Sequence, residues 1–238
     1  MTTTTSTTIR SYTCPKYHRT TPWEGAMAVW PQSPSVCICT ECHNAEEAEA
    51  AGWAAAAEVE KREAAWKALC PPLYQQTDPA RLPDQIAYHN AMSFSYSPVG
   101  LLLVGPTGGG KSRIAWEWLR RAWDEGKSIS AFTAVEFSHE CGKRFFDGSG
   151  EAWIGQVSRA KVLFIDDIGK GRLTDRGESE LFGLVEYRTS HLLPIVATMN
   201  LSGAGLADRL SEDRGAPLVR RLKEFCKVLI VKGKEAGK

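Results

Sequence analysis

Residues 105–112 read GPTGGGKS, a glycine-rich turn that closes on a lysine and a hydroxyl. The run fits G-x4-G-K-[ST], the spacing of a phosphate loop. Gly105, Gly108, Gly109 and Gly110 let the backbone curl until successive N–H groups point inward at phosphate oxygens. The helix expected after the loop adds its positive N-terminal end. Lys111 would reach the terminal phosphates, and the Ser112 hydroxyl would ligate Mg²⁺. Pro106, Thr107 and Arg113 complete the set expected around the nucleotide, taken as ATP with Mg²⁺. An apolar run from Leu101 to Val104 precedes the loop, as a buried strand should.

A pair of acids follows about 55 residues on, in KVLFIDDIGK (161–170). Charge at the tip of a buried strand is costly unless something pairs with it, and a Mg²⁺–phosphate pair would. Asp166 is expected to hold Mg²⁺ through water. Asp167 then stands where a general base or water-positioning group is needed beside the γ-phosphate. A plain Asp-Asp turn is the alternative for the motif in isolation, and the phosphate loop upstream favours the catalytic reading.

A third cluster lies near the N-terminus. CPKYH (14–18) and CICTECH (37–43) place a C-x3-H pair and a C-x2-C pair 20 residues apart. Tetrahedral Zn²⁺ takes four N or S ligands, commonly two close pairs from two turns. Cys14, His18, Cys39 and Cys42 meet that need, with Cys37 and His43 as spares. Too few apolar residues surround them to form a core without metal. Cys70, Cys141 and Cys226 stand alone and read as core thiols.

The elements that must position these groups show in the composition. The chain has 238 residues, enough for one sizeable α/β core and a smaller module. It is 43% apolar and 24% charged with a net charge of +1, so no global field marks a polyanionic partner. The basic excess is local: from Arg214 to Lys238 eight Lys/Arg face two Glu, a net +6. No apolar run reaches membrane-span length and no signal-peptide core opens the chain. A cytoplasmic location is therefore expected, where seven cysteines favour metal or free thiols over disulfides.

Four regions separate. Residues 1–10 are a low-complexity tail expected to be disordered, and 11–43 form the zinc module. Residues 44–84 hold an Ala/Glu-rich helix to 69, with Asn44 and Glu47 at capping-box spacing, then Pro71-Pro72 and a polar linker. From 85 to 238 short apolar runs (100–104, 129–133, 161–166, 194–198, 227–231) alternate with helical stretches such as 111–125 and 176–191. That alternation predicts an α/β fold with a parallel sheet covered on both faces.

Together GPTGGGKS, FIDDIG and PIVATMN resemble an AAA+ ATPase, and more narrowly the DnaC/IstB-like helicase-loader group of bacteria and phages. The resemblance covers roughly residues 71–231. It implies a P-loop sheet of order 5-1-4-3-2, and makes Asn200 the sensor that orients the attacking water. LVRRLKEF (218–225) resembles the segment with the arginine finger, donated to a neighbouring subunit. Arg221 fits best, Arg220 is second, and Arg188 in EYRTSH is a weaker alternative. The short stretch after the last strand implies a lidless member. Some phage replication ATPases have a similar cysteine module before this core. The expected function is that of a slow ATPase, stimulated by DNA or assembly. It would form a homo-oligomer on single-stranded DNA and deliver or remodel a replicative helicase. An IstB-like transposition ATPase, a nucleotide-gated adaptor with little turnover and a small-molecule kinase are the rivals. With no N-K-x-D motif for guanine, ATP is expected over GTP.

Overall fold

The computed structural model describes residues 10–13, 20–23, 40–200 and 212–233. The chain divides into two compact units, Met1–Ala65 and Trp66–Lys238. In the first, β1 (Arg10–Thr13) pairs antiparallel with β2 (Thr20–Trp23). Helix α1 (Thr40–Leu69) runs 30 residues and crosses the boundary between the units. Its Ala- and Glu-rich sequence sustains that length. The helix starts at Thr40, so Asn44 lies inside it and does not cap it. The expected zinc ligands Cys14, His18 and Cys39 lie outside the described residues, as does Cys37. Cys42 and His43 fall in the first turn of α1, where side chains are not described. Among the described residues no cluster of three His, Cys, Asp or Glu is arranged to hold a metal, and no helix is long and apolar enough to cross a membrane.

The second unit is built on five parallel strands: β3 (Gly100–Val104), β4 (Ile129–Thr133), β5 (Val162–Ile168), β6 (Ile195–Met199) and β7 (Cys226–Ile230). Their spatial order is β4-β5-β6-β3-β7. Counted within this sheet, that is 2-3-4-1-5, the expected 5-1-4-3-2 read from the other edge. Side chains alternate between two cores as the strand period requires. Leu102, Leu163, Ile165, Ile195 and Ala197 face one side with Phe137, Leu181 and Leu222. Leu101, Leu103, Phe164 and Val196 face the other with Ile114, Trp118 and Leu119. These partners belong to α5 (Ala134–Phe146), α7 (Asp175–Ser190) and α8 (Glu212–Phe225) on the first side and to α4 (Lys111–Asp124) on the second.

Residues 71–84, expected as a polar linker, are ordered against this unit. They contain α2 (Pro72–Gln75) and a 3₁₀ turn at Pro79–Arg81, and Leu82 is buried in the core. Asp84 caps α3 (Gln85–Ser93) by accepting from the Ala87 N–H, and also accepts from the Lys232 N–H just after β7. The stretch looked like a linker because its anchors are single polar side chains, which leave no hydrophobic period. Cys70, Cys141 and Cys226 are buried free thiols, as expected, and burial pushes the Cys141 and Cys226 thiols up to about 12.

Candidate nucleotide-binding site

The phosphate loop leaves β3 and enters α4 with its glycines at positions that demand them. Gly108 and Gly110 have φ of 81° and 88°, where side-chain-bearing residues are strained. A Cβ on Gly105 would lie 2.0 Å from the Val231 carbonyl oxygen after β7. Lys111 begins α4 and is buried. Its Nζ donates to the Pro106 carbonyl (2.8 Å) and to Oδ1 of Asn200 (2.5 Å). Burial lowers the Lys111 pKa, opposed by the nearby Asp167 and Asp166.

The acid pair sits at the end of β5, opposite the loop. Asp166 is only 5% exposed. One of its oxygens, Oδ1, accepts from the Ser112 hydroxyl (2.8 Å) and the Thr198 hydroxyl (2.5 Å). Burial raises its pKa in spite of those bonds. On a regular strand the next residue would face the opposite side of the sheet. Here the register between β5 and β6 shifts between Ile165 and Ile168, and Asp167 adopts φ of 56°. The bulge turns Asp167 into the same cleft. Three contacts hold it there. Its N–H donates to the Thr198 hydroxyl (2.8 Å), Asn200 Nδ2 donates to its Oδ1 (3.0 Å), and Lys170 pairs with Oδ2 (3.2 Å).

Asn200 therefore bridges Lys111 and Asp167, and with the loop these residues border a cleft of about 560 Å³. Tyr74, Asp78, Arg81 and Pro83 form part of its wall. Arg113 lies on the cleft as expected, yet it donates to the Leu73 carbonyl (3.1 Å) and the Thr77 hydroxyl (3.3 Å), fastening α2 to α4.

The arginines divide. Arg188 is fully buried and donates to carbonyls of Val157, Ser158, Ala160, Lys161 and Pro194. It is a structural group and is removed as a finger candidate. Arg221, on α8, makes a two-pronged pair with Glu186 of α7 (2.6 and 2.9 Å) and is 30% exposed, outside the cleft lining. Arg220 is exposed.

Two groups escaped sequence reasoning. Thr198 orients both acids; its signal is a lone hydroxyl in the apolar run before Asn200. Tyr74 carried no signal, since only the packing of α2 brings it to the cleft.

A phosphate loop after strand β3, an acid pair on β5 and a polar side chain after the intervening β6 define a P-loop ATP-binding protein of the AAA+ type. The chain belongs to the IstB-like ATP-binding protein family, whose model matches residues 74–236. No match was found among curated protein sequences. The DnaC helicase loader superposes with a TM-score of 0.59 at 22% identity, covering 68% of this chain and 100% of that one. DnaI gives 0.52 at 16% identity, with 70% and 94% covered. AMPPCP-bound DnaA from Aquifex aeolicus gives 0.53 at 16% identity, with 62% of this chain and 44% of DnaA covered. The chain thus spans under half the length of that DnaA structure. At these identities the likeness is one of fold.

Proposed function

We propose that the chain hydrolyses ATP and uses the cycle as a DNA replication factor of the helicase-loader kind. The observation that carries the ATPase reading is the convergence of Lys111, Ser112, Asp167 and Asn200 on one cleft, with Asp166 bonded to the Ser112 hydroxyl behind it. Mg²⁺ fits the chemistry of the donor set. Asp166 is a buried carboxylate held by two hydroxyls, and none of its close partners among the described residues is a cation. Ser112 and Asp166 would hold the ion, which would neutralise phosphate charge.

Lys111 is held by the Pro106 carbonyl and Asn200 Oδ1. ATP binding transfers Lys111 to a phosphate oxygen and frees the Asn200 carbonyl to accept from water. The Asp167 carboxylate then takes a proton as the water oxygen attacks the γ-phosphorus and the bond to the ADP oxygen breaks. Asp167→Asn should keep ATP binding and lose hydrolysis, because the amide fits but accepts no proton. Lys111→Ala should lose both. Calorimetric binding and phosphate release measure the two, and turnover by Asp167→Asn at the wild-type rate removes the base assignment.

The client is the finer part of the proposal. Single-stranded DNA, a replicative helicase and self-assembly are proposed from the resemblance of the motif set and from the +6 stretch at 214–238. The second reading is an IstB-like transposition ATPase, favoured by the family model that matches residues 74–236. Co-purification with a hexameric helicase separates the two. The zinc module is proposed on the spacing of Cys14, His18, Cys39 and Cys42 alone, and the zinc content of freshly purified protein tests it.

A further inference from the structure

We infer that Tyr74 is a positioning residue for the metal–phosphate corner of the cleft, a phenol held in place by an aromatic stack and acting on the Ser112 hydroxyl. The inference rests on the proposed Mg²⁺-dependent nucleotide site and names a residue that none of its motifs contains.

The placement follows from α4. Ser112 and Trp116 are four residues apart and so lie on one face of that helix. Tyr74 stacks on Trp116, with centroids 6.0 Å apart and planes 19° from parallel. A ring lying on Trp116 is therefore carried beside Ser112. Tyr74 and Ser112 both line the cleft, so the phenol borders the corner where the Ser112 hydroxyl donates to Asp166 (2.8 Å). Beneath the stack Trp116 is itself fixed. It meets Trp66 edge-on at 5.7 Å and Phe164 edge-on at 5.3 Å, and both are buried.

The backbone under Tyr74 is pinned from both sides. Gln75 Nε2 donates to the carbonyls of Lys67 and Cys70, and Arg113 donates to Leu73 and Thr77. A four-residue helix has little stability of its own, so these bonds and the stack set where the phenol points.

The chemistry is that of a neutral donor. Asp166, Asp167 and the incoming phosphates crowd anionic oxygen at this corner, and Lys111 can satisfy only part of it. A phenol O–H contributes donor capacity without a charge that would repel the cation. By holding the Ser112 oxygen in one orientation it also spares the entropy of ordering that hydroxyl when the ion arrives.

Titration calorimetry with a non-hydrolysable ATP analogue, run on the full chain with Mg²⁺ and again with EDTA, tests this. Tyr74→Phe keeps the ring on Trp116 and removes the hydroxyl. It should bind the Mg²⁺ complex about fivefold more weakly, the effect of one ordinary hydrogen bond, and bind the metal-free nucleotide as the wild type does. Tyr74→Leu removes ring and hydroxyl and should lose more of the Mg²⁺-dependent gain. Wild-type Mg²⁺ affinity in Tyr74→Phe overturns the inference, and so does an equal loss with and without metal. If Tyr74→Leu fails to fold, Tyr74→Phe decides. A wild-type chain that binds nucleotide with no response to Mg²⁺ overturns the metal reading itself and this inference with it.

Discussion

Asp166 shows how one residue can lower stability while serving a site. Its carboxylate is buried, and the hydroxyls of Ser112 and Thr198 only partly offset the lost hydration. Burial therefore raises its pKa. An acid whose folded pKa exceeds its unfolded value destabilises the fold when charged, and the loss is recovered as pH falls through the folded pKa. Asp166→Asn keeps the shape and an acceptor oxygen. The nucleotide-free variant should melt a few degrees higher than wild type near neutral pH, for a gain of about 1 kcal/mol. That gap should narrow as the pH falls through the raised pKa of the wild-type carboxyl, where it takes up its proton. The same variant should lose the stabilisation that Mg²⁺–nucleotide gives the wild type. Scanning calorimetry across this pH range measures all three, and a gap that widens on acidification would contradict the assignment.

At the scale of elements, the joints at the base of the sheet depend on Arg188. It leaves the last turn of α7 and reaches carbonyls at the end of α6 (Gly150–Arg159) and ahead of β5 and β6. The Ser158, Ala160 and Lys161 carbonyls lie where α6 ends and β5 begins and regular partners run out, while the Pro194 carbonyl also accepts from the Leu163 N–H (3.3 Å). Burial lowers the guanidinium pKa to about 10, which still leaves it charged at neutral pH. Arg188→Met fills the space but strands several buried carbonyls. The expected cost is about 3 kcal/mol or more. Urea unfolding should report it as a lower midpoint with an unchanged slope. A shift of a few tenths of a kcal/mol would mean that water replaces the guanidinium.

For the whole molecule, the proposed finger links chemistry to assembly. Arg221 is paired with Glu186 within its own chain. The pair is partly exposed, and exposed ion pairs are weak, so a neighbour's phosphates could draw the guanidinium away. Mixing Lys111→Ala with Arg221→Ala, each inactive alone, should partly restore ATPase activity. A mixed interface joins an intact loop to an intact Arg221. Stimulation by single-stranded DNA should fall as salt rises, since phosphate neutralisation releases counterions. A mixture as inactive as its parents, with both variants folded and associated, removes Arg221 as a finger acting between chains.

Local chemistry determined much of this by itself. The loop from Gly105 to Ser112 and the acids Asp166 and Asp167 were legible because spacing along the chain sets backbone shape and charge placement. The five strands were legible because parallel strands buried on both faces read as short apolar runs. Tertiary structure decided what depends on neighbours distant in sequence. It withdrew the Asn44 cap, since α1 begins at Thr40. It took Arg188 into the core, where carbonyls from the α6–β5 and α7–β6 connections meet. It drew residues 71–84 onto the phosphate loop, bringing Tyr74 to the cleft, and placed Thr198 between two acids more than thirty residues away. No periodicity encodes such meetings, because each is a contact between single side chains that only the closed sheet brings within hydrogen-bonding distance.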